Sequence, residues 1–127
     1  MKKQLTEEKL KLYHSYRWRV QSKRLRDMGG RYALCWYCNN MQGTSIDHVD
    51  SRDMDLFYDT DNMVGSCTNC MYLMQEDKIQ PMLDTTLHGI DKAIDKAVVV
   101  RGLYGMVGLN GFVPSVDKEL LKELWYA

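Results

Sequence analysis

The sequence predicts an α+β fold: a small metal-stapled core of short strands, with helices flanking it on the N- and C-terminal sides. Three observations predict it. Two Cys-x2-Cys pairs, Cys35/Cys38 and Cys67/Cys70, are separated by 28 residues, and two such knuckles complete a tetrahedral thiolate site. Short apolar stretches beside each pair have the two-residue alternation of strands. Longer segments with caps and apolar stripes lie before and after them. A chain of 127 residues is one domain with a modest core. We divide it into a basic N-terminal helix over 1–30, the metal-bound core over 31–80 and a C-terminal helical extension over 81–127.

Residues 6–28 read as one helix, capped by Thr6, with Glu7 and Glu8 at its positive end and Gly29-Gly30 stopping it. Tyr13, Tyr16 and Val20 are expected on its apolar face, and Trp18 on the basic side with Lys11, Arg19 and Arg26. Residues 31–46 carry the first cysteine pair in a hairpin-like knuckle with Gly43 in a turn. Thr44 to Val49 is a short strand, with Ile46 and His48 on one face and Asp47 and Val49 on the other. The aspartate-rich stretch 50–61 is a loop around Leu56 and Phe57. Met63 and Val64 form a second strand, and Cys70 to about Asp77 a short helix that Pro81 prevents from continuing. Asp84 or Thr86 caps another helix reaching about Arg101, with Leu87, Ile90, Ile94 and Val98 as its stripe. Residues 102–113 hold four glycines and an Asn110-Gly111 turn signal and read as a loop or small hairpin. Ser115 opens a last helix whose Leu120, Leu121, Leu124 and Trp125 cover the core.

Apolar residues make up 45% and charged residues 27% of the chain, which suits a globular protein rather than a disordered one. No apolar run spans a membrane, and the lysines at the start have no apolar stretch behind them, unlike a secretory signal. A cytoplasmic location is therefore expected, where reduced cysteine pairs bind metal more often than they form disulfides. The net charge is zero, but residues 1–31 hold ten Lys/Arg against three Asp/Glu. Such an arm suits the phosphates of a nucleic acid, or is a solvated helix face.

With four cysteines as ligands the metal site is closed and structural. Zinc is the expected ion; iron takes the same ligands, and disulfides are the alternative. Between the knuckles lie Asp47-His48 and, fourteen residues beyond His48, Asn62. The order Cys-x2-Cys, Asp-His, Asp-x2-Asn, Cys-x2-Cys is more specific than any of its parts. The aspartates from 50 to 61 lack the spacing and central glycine of a calcium loop. Residues 102–113 contain no phosphate-binding glycine motif. Trp36 and Tyr37 are expected to pack the knuckle, and His14 and His88 to be solvated or partly packed.

On these residues the chain resembles the HNH endonucleases, the ββα-metal nucleases common in bacteriophages. The likeness covers about residues 16–75. It comprises Tyr16-x-Trp18 with Arg19 and Leu25, Cys35-x2-Cys38, Ile46-Asp47-His48-Val49, Asp55 to Asp59, Asp61-Asn62-Met63 and Cys67-x2-Cys70. The resemblance implies a zinc-stapled strand–strand–helix unit lying on the minor groove of DNA. It implies His48 as general base on water, Asp47 as ligand to a catalytic magnesium or manganese ion, and Asn62 as a brace that orients the histidine. A near-neutral imidazole and a hard carboxylate oxygen suit those roles. The chain departs from the family at the second metal ligand, where Met71 replaces His or Asn, and at position 74, where Met74 replaces a frequent Lys. A thioether is a poor magnesium ligand. Met71 and Met74 are expected instead as an apolar pair packing the short helix. Tyr72, Asn69 and Gln75 are no better as substitutes.

Three functions follow as expectations. The first is a metal-dependent DNA endonuclease, weakened by Met71, that grips DNA through basic residues 9–26. The second is a degenerate HNH-like zinc module that binds nucleic acid or a protein partner without cutting. The third is a zinc-ribbon-like structural domain. None involves a membrane.

Overall fold

The computed structural model describes residues 6–39, 42–43, 45–50, 54–74, 79, 82–83, 87, 89–107 and 117–126. Two helices open the chain, α1 over Glu7–Tyr13 and α2 over Tyr16–Met28. Thr6 caps the first, as its sequence suggests. The single helix expected over 6–28 is broken at His14-Ser15, because Ser15 accepts from the Trp18 N–H and caps a second helix. The break resets the helical phase. Trp18, expected on the basic side, is buried, and Tyr16, expected on the apolar face, is 75% exposed.

Strand β1 (Ser45–His48) pairs antiparallel with β2 (Met63–Ser66), placing Ser45 opposite Ser66 and His48 opposite Met63. Short 3-10 turns at Gly30–Tyr32, Met54–Leu56 and Thr60–Asn62 join the elements. Helix α3 (Thr68–Leu73) starts at the second knuckle, with Cys67 as its cap. Helix α4 runs over Gly89–Val107 and α5 over Lys118–Tyr126. α4 continues six residues past the expected end at Arg101, through Gly102 and Gly105, into the stretch read as a loop. A helical glycine costs about 1 kcal/mol, and the contacts of Arg101 and Tyr104 with the first knuckle and Cys70 offset it. Thr44, Gln75, Pro81, Asp84, Thr86, His88, the Asn110-Gly111 turn and Ser115 lie outside the described residues.

The two-stranded sheet separates two apolar clusters. On one side Trp18, Leu25, Ile46, Phe57 and Met63 pack together, with Leu12, Tyr13, Tyr32 and Tyr58 against them. On the other the four cysteines, Trp36, Tyr37, Val49 and Val64 join Ala93, Ile94, Ala97, Val100 and Tyr104 of α4, and Leu121 and Trp125 of α5. The C-terminal helices thus share one core with the metal knuckles. Ala93 and Ala97 are fully buried and let α4 approach closely; its buried line follows them, and Ile90 and Val98 of the expected stripe are only partly buried. Leu120, expected in the core, is exposed. Gly65 is required in β2, since a Cβ there would collide with the Tyr32 carbonyl. Among the described residues no helix is long and apolar enough to cross a membrane.

Candidate metal centre and the Asp47-His48 site

The knuckles bring all four thiols together. The Sγ atoms of Cys35, Cys38, Cys67 and Cys70 lie within 4.8 Å of one another, and all four residues are buried. Cys38 and Cys67 sulfurs are 3.9 Å apart. This is far beyond a disulfide bond, and none of the four cysteines is in a disulfide. Zn–S bonds of about 2.3 Å place tetrahedral sulfurs about 3.8 Å apart, so the donor set fits a tetrathiolate metal site. The Cys38 thiol, followed by burial, pushes Cys35 up to about 12, against the lowering effect of Cys70. Cys70 is raised mainly by Cys35 and Cys38. Four thiols this close cannot ionise together without a cation among them.

Helix α4 supplies the surroundings of this centre. The Tyr104 hydroxyl is 2.9 Å from the Cys70 sulfur. Buried Arg101 donates to the Tyr37 and Trp36 carbonyls inside the first knuckle. Trp36 Nε1 donates to the Ala93 carbonyl at 3.0 Å. Trp36 and Tyr37 pack the knuckle as expected, both buried.

Strand alternation sends Asp47 and His48 to opposite faces of β1. His48 is 4% exposed and sits among aromatic rings, stacked on Trp18 with centroids 4.9 Å apart and packed on Phe57 and Tyr13. Its Nε2 lies 2.8 Å from the Phe57 carbonyl and its Nδ1 2.9 Å from the Tyr13 hydroxyl. A carbonyl only accepts, so Nε2 carries the hydrogen and Nδ1 is the basic nitrogen, with Tyr13 donating to it. Burial lowers the His48 pKa, against the opposing effects of the Phe57 bond and Asp47. Burial, then the charge of Asp47, pushes Tyr13 up to about 12. The pair is therefore a neutral imidazole and an intact hydroxyl at neutral pH.

Asn62 is buried and braces the loop that holds His48. Its Oδ1 accepts from the Asp50 N–H at 2.8 Å, and its Nδ2 donates to the Asp50 and Leu56 carbonyls at 3.1 and 3.3 Å. The Asn62 carbonyl also accepts from the Val49 N–H. One side chain thus ties the end of β1 to the turn before Phe57, whose carbonyl fixes the imidazole.

On the opposite face Asp47 accepts from the Tyr37 hydroxyl and pairs with Lys96 Nζ at 3.1 Å. One turn earlier on α4, Lys92 pairs with Asp50 at 3.0 Å. Met71 is 47% exposed rather than packed, and its sulfur accepts from the Ser45 hydroxyl at 3.1 Å. Ser45 and Asp47 share a face of β1, so Met71 lies beside the Asp47 face with a thioether to offer. Met74 packs against the core as expected. Among the described residues, those around Asp47 as they stand do not suit a divalent ion: the Asp47 carboxylate is already engaged by an ammonium and a phenol, and the Met71 sulfur is a soft donor.

The sequence singled out the four cysteines, which the structure brings together, and Asp47, His48 and Asn62, but not Tyr13, Lys92, Lys96, Arg101 or Tyr104 as the residues that contact them. The signal for the lysines was their four-residue spacing beside Ala93 and Ala97, which puts them on the flank of the closest-packed helix face. No protein-family model matches the chain, and no curated protein or solved structure matches it.

Proposed function

We propose that this chain is an HNH-type zinc protein that hydrolyses phosphodiester bonds of DNA, with His48 as general base. The observation that carries the reading is the bracing of His48 by Asn62 through the Phe57 loop. That arrangement fixes one imidazole nitrogen and turns the other, basic and neutral, toward a hydroxyl oxygen. The Tyr13 hydroxyl stands 2.9 Å from Nδ1, the distance a general base needs from the water it activates. Helix α1 has no fully buried residue, so Tyr13 is the group to move when substrate enters. Water then gives its proton to Nδ1, its oxygen bonds to phosphorus, and the bond from phosphorus to the leaving oxygen breaks, with solvent protonating that oxygen. Zinc held by Cys35, Cys38, Cys67 and Cys70 would supply no chemistry in this scheme; it would staple the first knuckle to the end of β2 and the start of α3.

Binding falls to α2. Arg17, Arg19, Lys23, Arg24 and Arg26 are exposed on it, and Tyr16 and Arg17 border a shallow depression of about 410 Å3 with Val20, Gln21 and Arg24. Cationic side chains along one helix suit a phosphate backbone.

A second reading, a degenerate HNH-like module that binds nucleic acid without cutting, is favoured by the Asp47–Lys96 pair and by Met71. A plasmid-nicking assay separates the two, run with zinc-loaded protein with and without magnesium or manganese. Cutting by the wild type that is lost in His48→Ala and His48→Gln, both with full zinc content, supports the nuclease. DNA retarded on a gel and never nicked supports the binding module.

A further inference from the structure

We propose that the ammonium of Lys96 is the resident cation of the Asp47 site and that it keeps divalent ions from binding there. An ammonium has three hydrogens to place, and α4 delivers it to three oxygens: Asp47 Oδ2 at 3.1 Å, the His48 carbonyl at 3.3 Å and the Val49 carbonyl at 3.5 Å. Its charge also lies 5.5 Å from the centre of the Tyr37 ring, whose hydroxyl holds the same carboxylate. A carboxylate and two main-chain carbonyls are the hard oxygen donors that otherwise take a small cation. Here they surround a covalently tethered one.

Two further observations point the same way. Lys92, itself buried, neutralises Asp50 from the same helix, so the acidic groups on both sides of His48 have partners from α4. Met71, beside the Asp47 face, offers sulfur, a soft donor with little attraction for a divalent ion. A second cation at Asp47 would meet like charge at contact distance, at a carboxylate and two carbonyls that the ammonium already engages. Lys96 is a positioning residue in this scheme: it fixes the carboxylate and the carbonyl of the strand residue that carries the base. The inference rests on the HNH reading for the expectation of an ion at Asp47, but the position of the ammonium is independent of whether the chain cuts.

The test is a manganese titration of zinc-loaded full-length protein, followed by the paramagnetic signal of free Mn2+ and by calorimetry. The wild type is expected to bind no Mn2+ up to millimolar concentration. Lys96→Ala and the near-isosteric Lys96→Met are expected to gain one site, and Asp47→Asn in either background to abolish it. A wild-type Mn2+ site that Asp47→Asn removes would overturn the proposal without needing any variant of Lys96. Folded, zinc-replete Lys96 variants that gain no site would also overturn it, since something other than the ammonium would then exclude the ion. The binding isotherm needs no cutting, so failure here is separate from failure of the nuclease reading, which the nicking assay judges.

Discussion

The Tyr13 hydroxyl donates to Nδ1 of His48 across 2.9 Å, joining the first helix to the strand that carries the candidate base. The contact closes a ring of side chains around His48, with Tyr13 edge-on to Trp18 and to Phe57 at 5.2 and 5.0 Å. It both satisfies the imidazole and covers it. Tyr13→Phe keeps the ring packing and removes only the hydrogen bond, at a cost of about 1 kcal/mol in unfolding free energy, measured by urea titration. In the proposed nuclease the same change leaves Nδ1 free for water, and nicking should rise severalfold. A rate unchanged or lowered by Tyr13→Phe would mean that the hydroxyl does not stand in the water's place.

The pH dependence of stability follows from His48. Its folded pKa lies below the ordinary 6.5, chiefly through burial, so the unfolded chain binds the proton more readily. The stabilising contribution of the neutral imidazole is therefore complete above about pH 6.5 and is lost as pH falls through the folded value. Lys96 and Lys9 add to the lowering, and Asp47 and the Phe57 bond oppose it. Urea midpoints measured from pH 7.5 down to pH 5.5 on zinc-loaded protein should fall more steeply for the wild type than for His48→Gln. Parallel curves would assign the acid sensitivity to other groups, the thiol site first among them.

How much of this was legible in the sequence differs between the four-cysteine cluster and the surroundings of His48. Cysteine spacing is a local signal with one good geometric solution, and strand alternation placed Ile46 and His48 on one face and Asp47 and Val49 on the other. The partners were not legible because they come from residues 34 to 65 positions away, and pairing over such distances has no periodic signature. The break between α1 and α2 was legible in principle, since Ser15 followed by Tyr16-Arg17-Trp18 offers a cap, but helix-forming residues on both sides concealed it. Tyr16 and Trp18 exchanged their expected environments because that single cap shifts the helical phase.

Removal of metal should unfold the side of the core that α4 and α5 cover, because the four cysteines and the apolar residues of these helices share one cluster. A strong zinc chelator is expected to abolish cooperative unfolding, and zinc to restore it. Tyr104→Phe is the finer test. It leaves the ring in place and removes the hydroxyl 2.9 Å from the Cys70 sulfur. Loss of such a partner typically weakens metal binding by about 10-fold or more, readable by competition with a chromogenic chelator. Unchanged affinity would reduce Tyr104 to a packing residue.

The basic surface of α2 makes a prediction that holds for both cutting and non-cutting readings. Arg17 lies over the Tyr58 ring at 3.8 Å, which holds its guanidinium in a fixed place at the edge of the depression it shares with Arg24 and Tyr16. Each cation that meets a phosphate releases counterions, so binding weakens with salt by a slope of about 0.9 per contact on duplex DNA. Arg17→Ala/Arg24→Ala should weaken duplex binding across unrelated sequences and flatten the plot of log affinity against log salt by about 1.8, if both arginines touch phosphates. Fluorescence anisotropy with a short labelled duplex at several salt concentrations measures both quantities. Tyr16→Ala should lower affinity for single strands more than for duplex if the exposed ring stacks on bases. An unchanged salt slope in the double variant would remove α2 from the interface and leave its charge as a solvated helix face.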